Sequence, residues 1–308
     1  MFNKLKLIII ILFLIIILSP SVLAKDDLPA IIFVYDDGFQ EDFELSFPIH
    51  AKYNIPAVVA VNSDYIGQKH WLKKKELLFL QAQGWEIANH GKKHTALILN
   101  SLTKNAKKNT KKIKVKNPFL IENSYEYVIY NTQTWVKEKI KIKKSGKKFI
   151  QLKAPLKNNY AKENTLIRLA DSALQAEILE SKRDLEKMGL IIDTFVFPYN
   201  GYYSHPLALV RKNYKAARSG YRHGEKFPKA FINYKPFSKY QLKAAVLETN
   251  LINEKDIFKL LKEVKEKNAL LILYSHPHNK NFDLKRIEKI IKYALKNKIK
   301  ISTFRELF

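Results

Sequence analysis

Residues 31–39 read I-I-F-V-Y-D-D-G-F, an apolar run that ends in two consecutive carboxylates. A run of β-branched and aromatic residues of this length predicts a buried strand, and Gly38 permits a sharp exit from it. Adjacent strand residues point to opposite faces, so Asp36 and Asp37 can share a site only where the strand ends and its backbone turns. Taken alone, the pair also fits a simple Asp-Asp-Gly turn, and the sequence downstream has to decide between the two interpretations.

The amino terminus has the pattern of a secretion signal. A basic start precedes an apolar run over 7–18, and Ser19-Pro20 breaks this run before small residues at the positions that a signal peptidase reads. We therefore predict a signal peptide over 1–24 and a secreted or cell-envelope location. An uncleaved membrane anchor is the alternative, although the apolar run is short beside the roughly 20 residues of a membrane span. The chain contains no cysteine, which excludes disulfides and lipid attachment at cysteine.

The formal charge of +26 rests on 55 basic residues, of which only seven are arginines. A surface of this charge attracts polyanions such as wall polymers, anionic headgroups or nucleic acid. Nucleic-acid readers rely on arginine and interleaved aromatic residues, and the sequence has no such motif. We therefore expect no nucleic-acid partner, and we interpret the charge as a general surface property that allows electrostatic association with an anionic cell envelope.

Strands and helices alternate along most of residues 25–308, which predicts a parallel α/β fold. Six or seven strands interleaved with helices indicate a barrel or an open sheet. The alternation breaks over 100–164, where a basic run and several short strands predict an inserted antiparallel β element. Four aromatic residues of this insertion can either stack on sugar rings or join the core, and we favour the core: Tyr125, Tyr127, Tyr130 and Trp135.

Several polar residues follow the predicted strands directly. In a barrel and in an open parallel sheet alike, ligands bind beyond the carboxyl ends of the strands. The residues placed there by the pattern are Asp36, Asp37, His90, Tyr199, Arg218 and His276. We therefore predict that these residues converge on one site.

His90 and His94 have the H-x-x-x-H spacing that lets two imidazoles face one cation. With a carboxylate from Asp36 or Asp37 they form a His-His-Asp set, which is typical of a catalytic zinc or a similar divalent ion. Such an ion lowers the pKa of bound water to about 7, and the second carboxylate would serve as general base. His276 follows a buried strand and titrates in the range useful for a proton donor, with a structural histidine as the alternative.

Four motifs in order resemble those of the polysaccharide deacetylases, the carbohydrate esterase family four. They are Y-D-D-G at 35–38, N-H-G-K-K-H at 89–94, F-P-Y-N-G at 197–201 and L-I-L-Y-S-H at 271–276. The resemblance covers about 30–99 and 165–303. It implies a distorted (β/α) barrel of about seven strands, a divalent metal ion of the zinc type and hydrolysis of an acetyl group from a sugar.

The resemblance also implies a role for each matching residue. Asp36 corresponds to the catalytic base, Tyr199 to the residue whose backbone N–H holds the oxyanion, and His276 to the acid that protonates the departing amine. The implied metal ligands are Asp37, His90 and His94.

One departure concerns the third motif, which in the family often carries an arginine that positions the base. Residues 195–197 contain none. Arg218 is our candidate for a substitute, with a surface arginine as the alternative. The residue that orients His276 stays unassigned.

The implied function is that of an exported, metal-dependent deacetylase. Its substrate would be an acetylated polysaccharide with N-acetylated amino sugars, as in peptidoglycan, an exopolysaccharide or chitin-like material. Two alternatives stay open: an O-acetyl polysaccharide esterase, and a non-catalytic carbohydrate-binding protein on the same fold. The missing arginine favours the non-catalytic alternative, whereas the presence of every other motif residue favours an enzyme.

Overall fold

The strand predicted at 31–39 lies at the centre of a curled, mostly parallel sheet. The computed structural model describes residues 29–221 and 223–308. The predicted signal peptide over 1–24, with its alternative as an uncleaved anchor, lies outside these residues. Within the described ranges, no helix combines the length and the apolarity that a membrane crossing requires.

The strands follow the predicted α/β alternation. In chain order they are β1 (Ala30–Asp37), β2 (Val58–Val61), β3 (Glu86–Asn89), β4 (Asn100–Ser101), β5 (Lys112–Ile113), β6 (Glu126–Asn131), β7 (Lys137–Ser145), β8 (Ile150–Leu152), β9 (Thr165–Leu169), β10 (Thr194–Val196), β11 (Ala216–Arg218), β12 (Ile232–Asn233), β13 (Ala245–Val246), β14 (Leu270–Ser275) and β15 (Lys300–Ile301).

The helices cover the outer side of the sheet. They are α1 (Phe47–Lys52), α2 (Lys74–Ala82), α3 (Asp171–Gln175), α4 (Ser181–Lys187), α5 (Ser204–Asn213), α6 (Glu254–Glu266), α7 (Leu284–Lys296) and α8 (Phe304–Leu307). Two π-helical segments adjoin these helices. Asp42–Ser46 directly precedes α1, and Ala176–Glu180 joins α3 to α4. Segments of this kind occur often at functional sites.

The main sheet has the order β11-β10-β3-β2-β1-β14-β12, with β13 also on β14 and β15 also on β1. Its pairs are parallel except β12 with β14, and this confirms the predicted parallel α/β fold. Asp36 is in register with Ala60 on β2, and Tyr35 with Ser275 on β14, so the strands end at one edge.

The two faces of β1 enter different parts of the core, as the period of two requires. Ile31, Phe33 and Tyr35 join a large cluster that includes residues of the covering helices. Ile32 and Val34 join a smaller cluster made almost entirely of strand residues, as expected for the inner face of a curled sheet. Asp36 lies two residues after Val34, so its side chain points to this inner face as well.

The insertion forms a second, antiparallel sheet with the order β4-β9-β6-β7-β8-β5. It ends at Leu169 on β9, five residues beyond the boundary predicted at 164, because β9 pairs with both β4 and β6. Along β7, Ile140 and Ile142 are buried whereas the lysines beside them are exposed. This alternation is typical of a sheet with one solvated face.

The prediction that four aromatic residues of the insertion join its core is partly wrong. Tyr127 is buried, and Tyr125 and Tyr130 are half-buried. Trp135 instead is 72% exposed, because it lies in the turn between β6 and β7 with a φ of 58°. Among the described residues, no neighbouring strand covers the side chain of Trp135.

Candidate active site

Asp36 and Arg218 form an ion pair on the inner face of the sheet. The Nη2 group of Arg218 lies 2.6 Å from Oδ1 and 2.5 Å from Oδ2 of Asp36. Arg218 shares the inner-face parity of Ala216 on β11, and its side chain is fully buried. The alternative of a surface arginine is therefore wrong, and this guanidinium contacts the carboxylate that the third motif's arginine would otherwise reach.

Two further groups hold the Arg218 guanidinium in place. Its Nη1 group donates to Oδ1 of Asn200 at 2.6 Å, and its central carbon lies 4.6 Å from the ring centre of Tyr274. The amide of Asn200 in turn donates to the Tyr274 hydroxyl at 3.0 Å. Arg218, Asn200 and Tyr274, each at the end of a different strand, therefore fix the orientation of Asp36 together.

Asp37 lies where β1 turns sharply. Its φ is 85°, and Gly38, also at 85°, follows with no room for a side chain: a Cβ there would lie 2.9 Å from a methyl carbon of Val61. A positive φ at an aspartate costs free energy, and such strain is concentrated at functional sites. The turn brings the carboxylates of Asp36 and Asp37 to the same end of the sheet, as predicted.

Asp37, His90 and His94 bring three ligand atoms within 4.8 Å of one another. Oδ1 of Asp37 lies 3.5 Å from Nε2 of His90 and 3.2 Å from Nε2 of His94. Ligands of a tetrahedral zinc with bonds of 2.0–2.1 Å lie about 3.4 Å apart. This Oδ1 atom is buried and has no hydrogen-bond partner among the described residues. The three side chains therefore fit a divalent cation.

The protonation of these side chains suits metal binding. Nδ1–H of His90 donates to the carbonyl oxygen of Val196 at 2.8 Å, and this bond directs Nε2 of the same ring toward Asp37. Burial and the neighbouring His90 lower the pKa of His94 to about 4. Burial alone would raise the pKa of Asp37, but the two histidines more than offset this and hold it below its ordinary value. A carboxylate at Asp37 and a neutral imidazole at His94 result.

Glu177, which sequence reasoning did not place in the site, holds the loop that carries both histidines. Its buried carboxylate accepts hydrogen bonds from the backbone N–H of Lys92 at 2.8 Å and of Lys93 at 3.1 Å, and from the Thr95 hydroxyl at 3.0 Å. A Cβ at Gly91 would lie 2.5 Å from Oε2 of Glu177. A glycine there lets the loop approach the carboxylate.

His276 is oriented by Glu248, the partner that the sequence left unassigned. Oε1 of Glu248 lies 2.7 Å from Nδ1 and 2.9 Å from the backbone N of His276. Burial alone would lower the pKa of His276, but the Glu248 bond and the charges of Asp36 and Asp37 raise it to about 9. Glu248 lies four residues after Ala244, whose side chain is on the inner face, and in an extended segment this spacing directs both side chains to the same face. That spacing was the signal that could have identified Glu248.

Tyr199 lies at the mouth of the site, as predicted. Its side chain is half exposed, its φ is 54°, and its ring centre lies 4.6 Å from that of His94. His278, which the sequence did not favour as a site residue, also lines the cavity next to Asp37 and His94. Its ring centre lies 3.9 Å from that of Phe39.

One comparison with known proteins identifies a family. The sequence profile described as "Polysaccharide deacetylase" matches residues 24–185, just over half of the chain. No curated protein matches the sequence.

The similar solved structures include a "T48 deacetylase with substrate" with 11% identity and a TM-score of 0.46, covering 93% of this chain and 94% of that chain. A CE4 family pseudoenzyme from Bacillus anthracis has 7% identity and a TM-score of 0.50, covering 92% and 66%. A family 4 acetyl xylan esterase from Clostridium thermocellum, in complex with a cobalt ion, has 12% identity and a TM-score of 0.47, covering 91% and 90%. At these identities the likeness concerns the fold alone. The sequence profile, which covers β1 and the histidine loop, shows that this chain belongs to the polysaccharide deacetylase family.

Proposed function

We propose that this chain is an exported, metal-dependent deacetylase that removes acetyl groups from N-acetylated amino-sugar polymers such as peptidoglycan, an exopolysaccharide or chitin-like material. One observation carries the proposal: a cluster of Asp37, His90 and His94 fits a divalent cation, and Asp36 and His276 carry the groups needed for proton transfer beside it. These residues come from three separate parts of the sequence, and a structural role alone does not require that combination.

The protein residues would divide the reaction between them. A divalent cation, most simply zinc, supplies Lewis acidity that polarises the acetyl carbonyl and makes water a better nucleophile. Asp36 accepts the proton of the attacking water, whose oxygen bonds to the acetyl carbon. The C–N bond then breaks, and His276 gives its proton to the departing amine. The backbone N–H of Tyr199 would stabilise the negative charge that develops on the carbonyl oxygen.

Arg218 and Glu248 support these two proton transfers. Arg218 contacts both oxygens of Asp36 and so holds this carboxylate in the orientation in which it would accept a proton. Glu248 accepts from Nδ1 of His276, which leaves Nε2–H as the proton to be donated. With a pKa of about 9, His276 is protonated at neutral pH, as the acid has to be.

The observed arginine also bears on the non-catalytic alternative. That alternative was supported by the absence of an arginine in the third motif, and Arg218 supplies the corresponding contact from β11. An O-acetyl esterase would use the same residues and differs only in its leaving group. We favour the N-acetyl substrate because an amine leaves only with a proton, and Glu248 keeps His276 protonated.

Acetate release from N-acetylglucosamine oligomers tests the proposal. We expect the purified protein to release acetate, and we expect Asp36→Asn to reduce kcat by 10²-fold or more because it removes the base. Asp171→Asn is the matched control, since that carboxylate is 61% exposed and forms surface ion pairs with Arg168 and His205, away from the catalytic residues. Full activity in Asp36→Asn, or no acetate release from any acetylated glycan, would contradict the proposal.

We also propose that export places the protein at an anionic envelope. The insertion supports this, because residues 100–164 contain 17 lysines and only four glutamates. On β7 the side chains of Lys137, Lys139, Lys141 and Lys143 are all exposed. Cell fractionation should find a protein lacking residues 1–24 that washes off envelopes at high salt. Retention of the full-length chain in the cytoplasm would contradict the proposal.

A further inference from the structure

We propose that the inserted sheet completes a sugar-binding subsite next to the metal ligands, in which Phe119 and the Phe39–Trp71 pair hold a ring of the polymer beside the acetylated sugar. This inference rests on the proposed function. It gives the insertion a specific task, which neither the sequence nor the family assignment supplies.

The cavity that carries the proposal is continuous with the catalytic site. Its volume is about 320 Å³, and its lining includes Asp37, His94 and Tyr199. The volume lies at the lower end of the range typical of small-ligand sites. A polymer whose acetyl group lies at the metal ligands must therefore extend along this cavity or away from it.

One wall consists of stacked aromatic rings fixed to the end of β1. The ring centres of Phe39 and Trp71 lie 4.1 Å apart with planes 24° apart, and Tyr65 lies 4.5 Å from Trp71 on its other side. A backbone bridge joins Phe39 to Trp71, and the N–H of Leu72 donates to the carbonyl of Gly38 at 3.0 Å. The aromatic wall is thus held rigidly beside Asp37.

The insertion supplies another wall through Phe119. This side chain is 73% exposed on a 3₁₀ turn, Pro118–Leu120, between the buried residues Pro118 and Ile121. Contact with water is unfavourable for an apolar ring of this size, and the described residues cover little of it. The flat apolar faces of pyranose rings pack well against aromatic rings, which offer a large contact area with few rotatable bonds. Phe119 is therefore placed to contact a ligand.

Polar groups accompany the aromatic walls. Glu122 from the insertion and Lys93 from the histidine loop also line the cavity, and they can bind sugar hydroxyls. Nζ of Lys93 donates to Oγ of Ser124 at 3.3 Å and lies 5.5 Å from the ring centre of Tyr125. These contacts tie the insertion to the loop that carries the metal ligands. The position of Phe119 relative to the catalytic site is fixed accordingly.

The insertion contains its own control for this proposal. Trp135 is 72% exposed, which is nearly the value of Phe119, but it lies in the turn between β6 and β7 and does not line the cavity. If exposed aromatic residues of the insertion served only to bind another protein, Phe119 and Trp135 would be equally suited to that role. A sugar-binding role requires Phe119 and not Trp135.

The test compares Phe119→Ala with Trp135→Ala in zinc-loaded protein. In an Asp36→Asn background, which prevents turnover, calorimetry with the N-acetylglucosamine tetramer should show Kd raised about tenfold by Phe119→Ala and unchanged by Trp135→Ala. In the active protein, Phe119→Ala should raise KM for the tetramer to a similar extent. In Trp135→Ala, KM for the tetramer and the hydrolysis of p-nitrophenyl acetate should both stay unchanged.

Each outcome separates the subsite from the proposed function. Tetramer binding that Phe119→Ala does not weaken, or that Trp135→Ala weakens equally, overturns the subsite and leaves the deacetylase standing. Tetramer binding without acetate release from any substrate overturns the deacetylase and leaves the subsite standing. If the tetramer does not bind at all, the subsite for amino-sugar polymers is overturned.

Discussion

The Nη2 group of Arg218 contacts both carboxylate oxygens of Asp36 although the two residues are 182 positions apart in the chain. The contact forms because Asp36 on β1 and Arg218 on β11 both point to the inner face of the sheet, and both lie at the end where these strands finish. An arginine on β11 thus contacts Asp36, whereas residues 195–197 of the third motif contain no arginine.

Arg218→Lys should therefore lower kcat by about 10- to 100-fold while KM changes little. A lysine keeps the positive charge, but its single nitrogen cannot occupy the positions of both Nη1, which donates to Asn200, and Nη2, which donates to Asp36. Removing the charge altogether, as in Arg218→Ala, would leave a buried carboxylate unpaired and cost about 3–5 kcal/mol of stability. Steady-state kinetics of acetate release together with a melting curve distinguish the two effects.

Arg305→Lys is the matched control for that change. Its guanidinium pairs with Asp193 at 2.8 Å and donates to the carbonyl of Ile191, away from the catalytic residues. The kinetic constants of Arg305→Lys should equal those of the wild type. If Arg218→Lys behaved in the same way, Arg218 would not position the base.

The second prediction concerns pH and the His276–Glu248 pair. Burial opposes protonation of His276, and the Glu248 carboxylate more than offsets this, so that the pKa lies near 9. A general acid must be protonated, so kcat should persist up to about pH 9 and fall above it. In Glu248→Gln the pKa of His276 falls, and the alkaline limb of the kcat profile should move to lower pH by a unit or more.

The free energy of unfolding should also fall as the pH rises toward 9. His276 has a higher pKa in the folded protein than its ordinary 6.5, so its contribution to stability is complete below pH 6.5 and is lost as the pH rises toward 9. The wild type should therefore lose more stability than Glu248→Gln between these values. Glu254→Gln, which removes an exposed carboxylate paired with Lys289, should leave both profiles unchanged. Identical alkaline limbs in wild type and Glu248→Gln would refute the assigned role of Glu248.

Much of the site could be predicted because its residues follow strands directly. Asp36, Asp37, His90 and His276 each end an apolar run, and the carboxyl ends of parallel strands meet at one edge. The H-x-x-x-H spacing added the metal hypothesis. Local patterns sufficed for these residues, since the position of each depends on the strand that precedes it.

The supporting residues could not be predicted with the same means. Glu177 lies on the π-helical segment 85 positions from Lys92, and Glu248 lies 28 positions before His276, two residues after the short strand β13. Their partners include backbone N–H groups, which leave no trace in the sequence. Phe119 and Trp135 likewise have similar local signals, and only the tertiary fold places one in the cavity and the other in an open turn.

A third prediction concerns the loop that Glu177 holds. Its carboxylate accepts from three donors of the histidine loop, and a glutamine would present a donor group to some of them. We expect Glu177→Gln to weaken zinc binding by about 10- to 100-fold, as is typical when residues behind metal ligands are changed. Zinc titration by calorimetry measures this, and excess zinc should restore part of the acetate release.

The control is Glu180→Gln, one turn further along the same helical region. Glu180 is about half exposed and lies 3.9 Å from Lys92 in a weak ion pair. Its loss should leave zinc affinity within a factor of two, in keeping with the small contribution of surface pairs. Equal losses in the two variants would mean that Glu177 has no particular role in holding the loop.

Metal removal gives the fourth prediction. Chelation should abolish acetate release without unfolding the protein, because the ligand side chains are fixed by Val196 and the Glu177 loop and not by the ion. Added zinc should restore activity and raise Tm, since a ligand that binds only the folded state stabilises it. His94→Ala should abolish both effects, whereas His205→Ala, at an exposed position on α5, should keep them. Undiminished activity of the metal-free protein would contradict the mechanism.

The last prediction separates amide from ester substrates through His276. An amine is expelled only with a proton, whereas the oxygen of a sugar is a far better leaving group and depends less on an acid. His276→Ala should therefore reduce kcat on N-acetylglucosamine oligomers by about 10²- to 10⁴-fold and on acetylated xylan by a much smaller factor. His205→Ala serves again as the control, because its side chain is 43% exposed and pairs only loosely with Asp171. If the wild type releases acetate only from the ester, the chain is an O-acetyl esterase. Equal losses on both substrates would show that His276 does not act as the acid for the amine.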